Sequence, residues 1–242
     1  FIGNQAEVGG ALSAVRASVG EFNLTSNTFE MNSAITIDGT PSGGAAFITD
    51  DNDSVYNLRK NQFVENTSQG SAGALDLRGY ASNQDYFLEQ NVFLYNQANS
   101  YAGGLSVGLF AIAEIYNNTF AYNSGTRGGG LVYIDGRINI RASTLVYNSA
   151  SQFGQNIYSY GGTGNIRHSI IAYAGAGQNC AGNFSSISSG ANSVMDDTSC
   201  PFNIIYDIEA DPMLSALDDH ASGLFGFTPL INSPAIDRIE PF

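Results

Sequence analysis

The chain has 242 residues, 43% of them hydrophobic and 13% charged, so it carries enough apolar material for a core and is not wholly disordered. Its 9 basic and 22 acidic residues give a formal net charge of -13, which repels phosphate backbones and anionic membranes and excludes nucleic acid as the expected partner. The longest apolar stretch, Gly104 to Ile112, falls well short of the roughly 18 residues that a membrane-spanning helix needs.

The chain repeats from its first residue. An apolar residue precedes an Asn by three positions at Phe1/Asn4, Phe29/Asn32, Phe63/Asn66, Phe93/Asn96, Phe120/Asn123 and Leu145/Asn148, and Ile170/Tyr173 reads as a decayed final copy. Successive Asn residues are 28, 34, 30, 27 and 25 positions apart. A small-residue cluster before an apolar strand recurs in phase, at Gly9-Gly10-Ala11-Leu12, Gly43-Gly44-Ala45, Ala72-Gly73-Ala74-Leu75, Gly103-Gly104-Leu105 and Gly129-Gly130-Leu131. With no initiator Met and a start inside a repeat, the chain reads as a processed or excised piece of a longer exported protein.

Between the markers lie short alternating runs such as Ala74-Leu75-Asp76-Leu77 and Arg137-Ile138-Asn139-Ile140-Arg141, separated by Gly, Asn, Asp and Ser. No segment carries a helical apolar stripe. The pattern predicts an all-β fold, a right-handed parallel β-helix of about seven coils over residues 1–175. Coils stack about 4.8 Å apart. The predicted ladder places Phe29, Phe63, Phe93 and Phe120 ring on ring inside, with Asn32, Asn66, Asn96, Asn123 and Asn148 bonded from coil to coil. The glycine pairs mark corners where a Cβ clashes or φ is positive.

Two coils carry insertions, Thr49-Asp50-Asp51-Asn52-Asp53-Ser54 and Arg78 through Tyr86, which predict loops on one face. Residues 176–242 read as an irregular cap packed on the same solenoid, rich in Pro and Asp. Cys180 and Cys200 are the only cysteines and are predicted to pair, closing a loop of about 20 residues.

The paired Phe-x-x-Asn and Gly-Gly-Ala-Leu motifs over residues 1–150 resemble those of chlamydial polymorphic outer-membrane proteins and related bacterial surface solenoids. Residues 179–237 are similar to the C-terminal region of the choice-of-anchor Q surface proteins, through Asn179-Cys180, Gly190-Ala191-Asn192-Ser193, Cys200, Asp211-Pro212-Met213-Leu214 and Ser233-Pro234-Ala235-Ile236-Asp237. The chain departs from that pattern at Asp219-His220-Ala221-Ser222-Gly223 and at Asp237-Arg238. The resemblance implies export and display at a bacterial surface, with no settled catalytic activity.

Several chemistries compete on such a rod. A glycosidase needs a carboxylate pair, for which Asp50, Asp51, Asp53, Asp76 and Asp135 are the candidates nearest loops. The Asn-Thr-Asp, Asp-Asp and Gly-His-Gly series of polygalacturonase-type solenoids is absent as a set. A lyase needs a base, and Arg78, Arg127 and Arg137 hold their protons too strongly, on a surface that repels polyuronates. Asp50, Asp51 and Asp53 are also a weak Ca²⁺ candidate, lacking the Gly and distal Glu of an EF-hand loop; no other cofactor is expected. His168 reads as a turn residue. Tyr95, Tyr122 and Tyr147 precede ladder Asn residues and point away from them, and with Tyr133 they form a candidate binding row. The resulting expectation is a non-enzymatic adhesion or structural module. Its expected partner is a glycan, a surface protein or a second copy in a fibre, and the alternative is a polysaccharide-active enzyme.

Overall fold

A single turn shows how the repeat folds. Strand Gln62–Val64 buries Phe63, Asn66 turns the chain into the short strand Thr67–Ser68, and the Ala72-Gly73-Ala74 corner leads into Leu75–Gly79. The chain returns along Gln84–Glu89 and reaches the next phenylalanine strand, Val92–Leu94, through Asn91. Equivalent strands of successive turns pair in parallel, in four stacks. The phenylalanine sheet has eight strands, from Thr28–Glu30 to Ile208–Glu209, and the short sheet has six, from Gln5–Ala6 to Ser149–Phe153. The corner sheet has seven, from Leu12–Arg16 to Cys180–Gly182, and the charged sheet has seven, from Glu21–Thr25 to Ile187–Ala191. The structure, a computed structural model, describes residues 1–16, 20–37, 39–50, 54–79, 84–175, 177–201, 203, 205–220 and 224–236. Among them there is no helix, and the stacks form a parallel β-solenoid of about six full turns.

Stacking at the inter-strand spacing puts like side chains on like. Phe1, Phe29, Phe63, Phe93 and Phe120 form one column with centroids 4.7, 5.0, 4.8 and 4.5 Å apart and rings within 7° of parallel. Leu145, Ile171 and Met195 continue it in register. The sequence pattern therefore sets the decayed repeat one residue early: Ile171, not Ile170, takes the phenylalanine position, and Tyr173 takes the position of Tyr147. Each fully buried ring contributes on the order of 2–3 kcal/mol by removal from water.

In the middle turns both ends of the phenylalanine strand turn on a residue with positive φ followed by a hydrogen-bonding side chain. Glu65, Tyr95, Tyr122 and Tyr147 lie between 54° and 58°, and Lys60, Gln90, Asn117 and Ala142 between 49° and 57°. A left-handed residue with a Cβ costs about 1–2 kcal/mol, and the ladders supply the compensation. In the first, Asn32 donates its amide to Asn66, Asn66 to Asn96, Asn96 to Asn123 and Asn123 to Asn148, each at 2.9 Å. A second ladder at the other corner links Asn27, Asn61, Asn91 and Asn118, then passes through backbone N–H groups to Ser143, Ser169 and Ser193. Both ladders end on carboxylates. Asn148 donates to Asn156, Asn156 to Asn179 and Asn179 to Asp196, while the backbone of Ser193 donates to Asp207.

The glycine corners are sites of close backbone approach. A Cβ on Gly44 would lie 2.0 Å from the carbonyl oxygen of Gly73, and one on Gly73 would lie 2.4 Å from that of Gly103. The sequence repeat fades after Tyr173, but the sheets run on through Cys180–Gly182, Ile187–Ala191, Val194–Met195 and Ile208–Glu209. Cys180 and Cys200 form the expected disulfide and fix this last turn. The segment beyond it lies along the side of the rod. Leu214, Leu217, Leu224, Phe225 and Phe227 cover the outward residues of the phenylalanine sheet, including Leu94, Ala121, Val146 and Ala172. Those outward positions are apolar and need a cover as much as the open end does.

Candidate ligand-binding face

The strands of the charged sheet alternate strictly. Tyr56 and Leu58, Tyr86 and Leu88, Ala113 and Ile115, and Ile138 and Ile140 point inward, so their neighbours point to solvent. Parallel register aligns the outward residues into rows. The central row is Asn23, Asn57, Phe87, Glu114, Asn139 and Asn165, and the row beside it is Thr25, Arg59, Glu89, Tyr116, Arg141 and Arg167. Phe87 and Tyr116 are 40% and 46% exposed, which leaves two aromatic surfaces on a mainly polar face that also carries Val55 and Ile112.

Local bonds order the polar groups. Asn57 donates to Glu21 at 2.7 Å and to Asn23 at 3.1 Å, and Asn139 donates to Glu114 at 2.5 Å. Arg59 pairs with Glu89 at 2.9 Å, and the Arg141 guanidinium lies 5.8 Å from the centre of the Tyr116 ring. Five of the chain's nine basic residues belong to this face or its flanking turn: Arg59, Lys60, Arg137, Arg141 and Arg167. They meet the carboxylates Glu21, Asp85, Glu89 and Glu114, with Asp135 in the opposite flanking turn, so a face of balanced charge sits on a strongly acidic protein. Over its distal half the face forms a groove of about 850 Å³, within the range of small-ligand sites. His168 occupies a left-handed turn beside the groove, and burial, then Arg141 and Arg167, hold its imidazole below its usual pKa.

The structure disperses the carboxylates predicted from the sequence. Asp76 is fully buried, not in a groove: its Oδ2 pairs with Arg78 at 2.7 Å and accepts from Ser42, while Oδ1 is buried without a partner. The surrounding corner-sheet positions, Phe47, Ser106 and Val132, are buried as well. Asp135 is an exposed left-handed turn residue after strand Leu131–Tyr133. Asp50 ends strand Ala46–Asp50, in register with Gly79. Asp51 and Asp53, and with them the Ca²⁺ candidate, lie outside the described residues, as do Tyr80, Ala221 to Gly223 and the terminal Asp237-Arg238. Among the described residues no group of three or more His, Cys, Asp or Glu is placed to hold a metal.

The tyrosines divide. Tyr95, Tyr122 and Tyr147 do stack into an outward column with Tyr173, at 5.0, 5.2 and 4.6 Å. Tyr95 is 48% exposed, but Phe227 packs on Tyr122 and Tyr147, and Tyr173 donates its hydroxyl to Asp211. Tyr133 is 1% exposed and belongs to the core, edge-on to Phe184, because it shares the inward parity of Leu131. It is no binding residue. Of the basic residues weighed in the sequence, Arg78 is engaged by Asp76, and Arg127 is enclosed by the rings of Tyr101, Tyr158 and Tyr160. Only Arg137 stands on the open face. The groove residues Glu114 and Arg141, which the sequence did not single out, left one signal, strict alternation in Ala111–Tyr116 and Arg137–Arg141; Arg167, in Thr163–Arg167, left none as clear.

No protein-family model matches the chain, and no curated protein or solved structure is significantly similar to it. The fold and the face define its class: a parallel β-solenoid with one broad, open, polar sheet.

Proposed function

We propose that the chain is a non-enzymatic binding module of an exported surface solenoid, and that it holds a linear glycan along the outer face of the charged sheet. One observation carries this reading. Over the middle turns the outward faces of the phenylalanine and corner sheets are largely covered or buried, whereas the charged sheet presents asparagines, arginines and two aromatic rings to solvent in rows. Asn and Arg side chains offer directional hydrogen bonds to hydroxyls, and exposed rings offer flat surfaces to sugar rings. The disulfide supports an oxidising destination, and the resemblance of the repeats and of the C-terminal segment to bacterial surface proteins supports display outside the cell.

A hydrolase is the second reading, because Asp85 and Glu89 are both diagonal neighbours of Glu114 on adjacent strands. Strand spacing and rise put the Cα atoms of such neighbours about 8 Å apart, and flexible carboxylate side chains on that frame can reach the separation of an inverting pair. Two of these carboxylates are already engaged, Glu89 by Arg59 and Glu114 by Asn139. The test incubates the protein with a panel of neutral and acidic glycans and follows both binding and products by mass. Binding without new oligosaccharides supports the module. Products that vanish in Glu114→Gln establish the hydrolase, and absence of binding to every glycan ends the glycan reading.

A further inference from the structure

The distal groove is lined by three arginines and two carboxylates, Asp85 and Glu114, and none of the three arginines is ion-paired among the described residues. Arg59 is neutralised by Glu89 and Arg78 by Asp76, but Arg137, Arg141 and Arg167 have no carboxylate partner among the described residues. Arg141 and Arg167 stand directly opposite each other in register on adjacent strands. Like charges so placed repel and destabilise a sheet. A chain with only 9 basic residues nevertheless gathers three of them at one groove, where Arg141 also lies over Tyr116. A guanidinium offers a planar fork of donors that matches a carboxylate or sulfate in two bonds.

We infer that the groove takes the acidic groups of its glycan: Arg141 and Arg167 clasp one carboxylate or sulfate, and Arg137 meets a second. Arg137 is four residues before Arg141 on the same strand, about 13 Å away, so the two anions belong to different sugar units. Phe87 and Tyr116 lie beside the clasp and carry a sugar ring. The ligand is thus a linear acidic glycan, in contrast to the polyanion repulsion that the net charge alone suggests. The inference rests on the glycan reading above.

The test measures affinity for galacturonan and sulfated-galactan oligosaccharides, each beside its carboxyl-reduced or desulfated neutral form. The acidic form of at least one pair should bind about ten-fold or more tightly than its neutral counterpart, and which pair responds separates carboxylate from sulfate. The double change Arg141→Gln, Arg167→Gln should remove that difference, with acidic binding falling about ten-fold to the level of the neutral form. A melting temperature at or above that of the parent confirms that the variant folds. Equal affinity for acidic and neutral forms, or full acidic binding by the double variant, overturns the anion clasp but leaves glycan binding standing. No binding to any of the four ligands overturns both.

Discussion

The side-chain oxygen of Asn96 accepts two hydrogen bonds from Asn66, from its backbone N–H at 3.0 Å and from its amide at 2.9 Å. Asn96 in turn donates to Asn123 at 2.9 Å and to the carbonyl of Phe63 at 2.8 Å. One side chain therefore serves three turns of the solenoid, in a site with no access for water.

Asn96→Ala strands two buried donors on Asn66 together with the Phe63 carbonyl, and each stranded group costs about 1–3 kcal/mol. The expected loss of stability is about 3–5 kcal/mol in urea unfolding. Asn4→Ala, at an exposed position where water replaces the partner, should cost less than about 1.5 kcal/mol. Equal effects at the two positions would refute the ladder as the source of stability.

Tyr133→Ala should cost about 3–5 kcal/mol, as other buried aromatics do, and leave glycan affinity unchanged in the surviving folded protein. Tyr116→Ala should do the reverse, since its ring is exposed. A calorimetric titration beside a thermal melt reads both, and a loss of affinity in the Tyr133 variant at full stability would return that residue to the surface.

The C-terminal segment is clasped to the rod by Tyr173 and Asp211. Burial and the bond to Asp211 push the Tyr173 hydroxyl up to about 12, and the same bond, then the Met213 N–H, holds the Asp211 carboxyl below its usual value. The tyrosine part of the clasp is therefore intact below pH 10 and is lost as the pH climbs towards 12. The aspartate part is present above pH 3.8 and is lost as the pH falls through the depressed value. In an ultraviolet titration of the tyrosines, Asp211→Asn should move one late-titrating hydroxyl to lower pH. A titration curve identical to that of the parent would disprove the contact.

His168 has a lowered folded pKa, so the unfolded chain takes up a proton first as the pH drops below 6.5. Stability should therefore decline from pH 6.5 downward, and His168→Gln should flatten that part of the profile. Arg167→Gln removes one repelling charge and should raise the imidazole's pKa in a proton-resonance titration. No movement would show that Arg167 is too far from the ring to matter.

The columns were legible because identical rings and amides recur once per turn, and nothing but stacking explains Phe-x-x-Asn at spacings from 25 to 34. The second ladder was not, because its residue type drifts from Asn118 to Ser143, Ser169, Ser193 and Asp207 while only the accepting oxygen is kept. Tyr133 was misread because aromatic recurrence outweighed strand parity, which places it inward two residues after Leu131. The arginine groove was hidden for a geometric reason. Arg137 and Arg141 become neighbours of Glu114 and Tyr116, and Arg167 of Arg141, only once strands from unequal turns are set in register. The concentration of cations on one face also cannot be seen in a net charge.

The two amide columns have a direction. In each, the side-chain oxygen accepts from the earlier turn and one donor is passed on to the later turn, from Asn32 to Asn179 on one corner and from Asn27 to Ser193 on the other, while the second amide N–H returns to a carbonyl of the turn before. Aligned peptide-like dipoles add, as they do along a helix, and leave positive ends that attract anions; here Asp196 and Asp207 supply those anions from within the chain. The rod therefore has a grain. A turn can be duplicated or excised and its neighbours will still meet donor to acceptor, but a turn inserted backwards would set acceptor against acceptor. Such a molecule can change its length in evolution far more readily than its polarity.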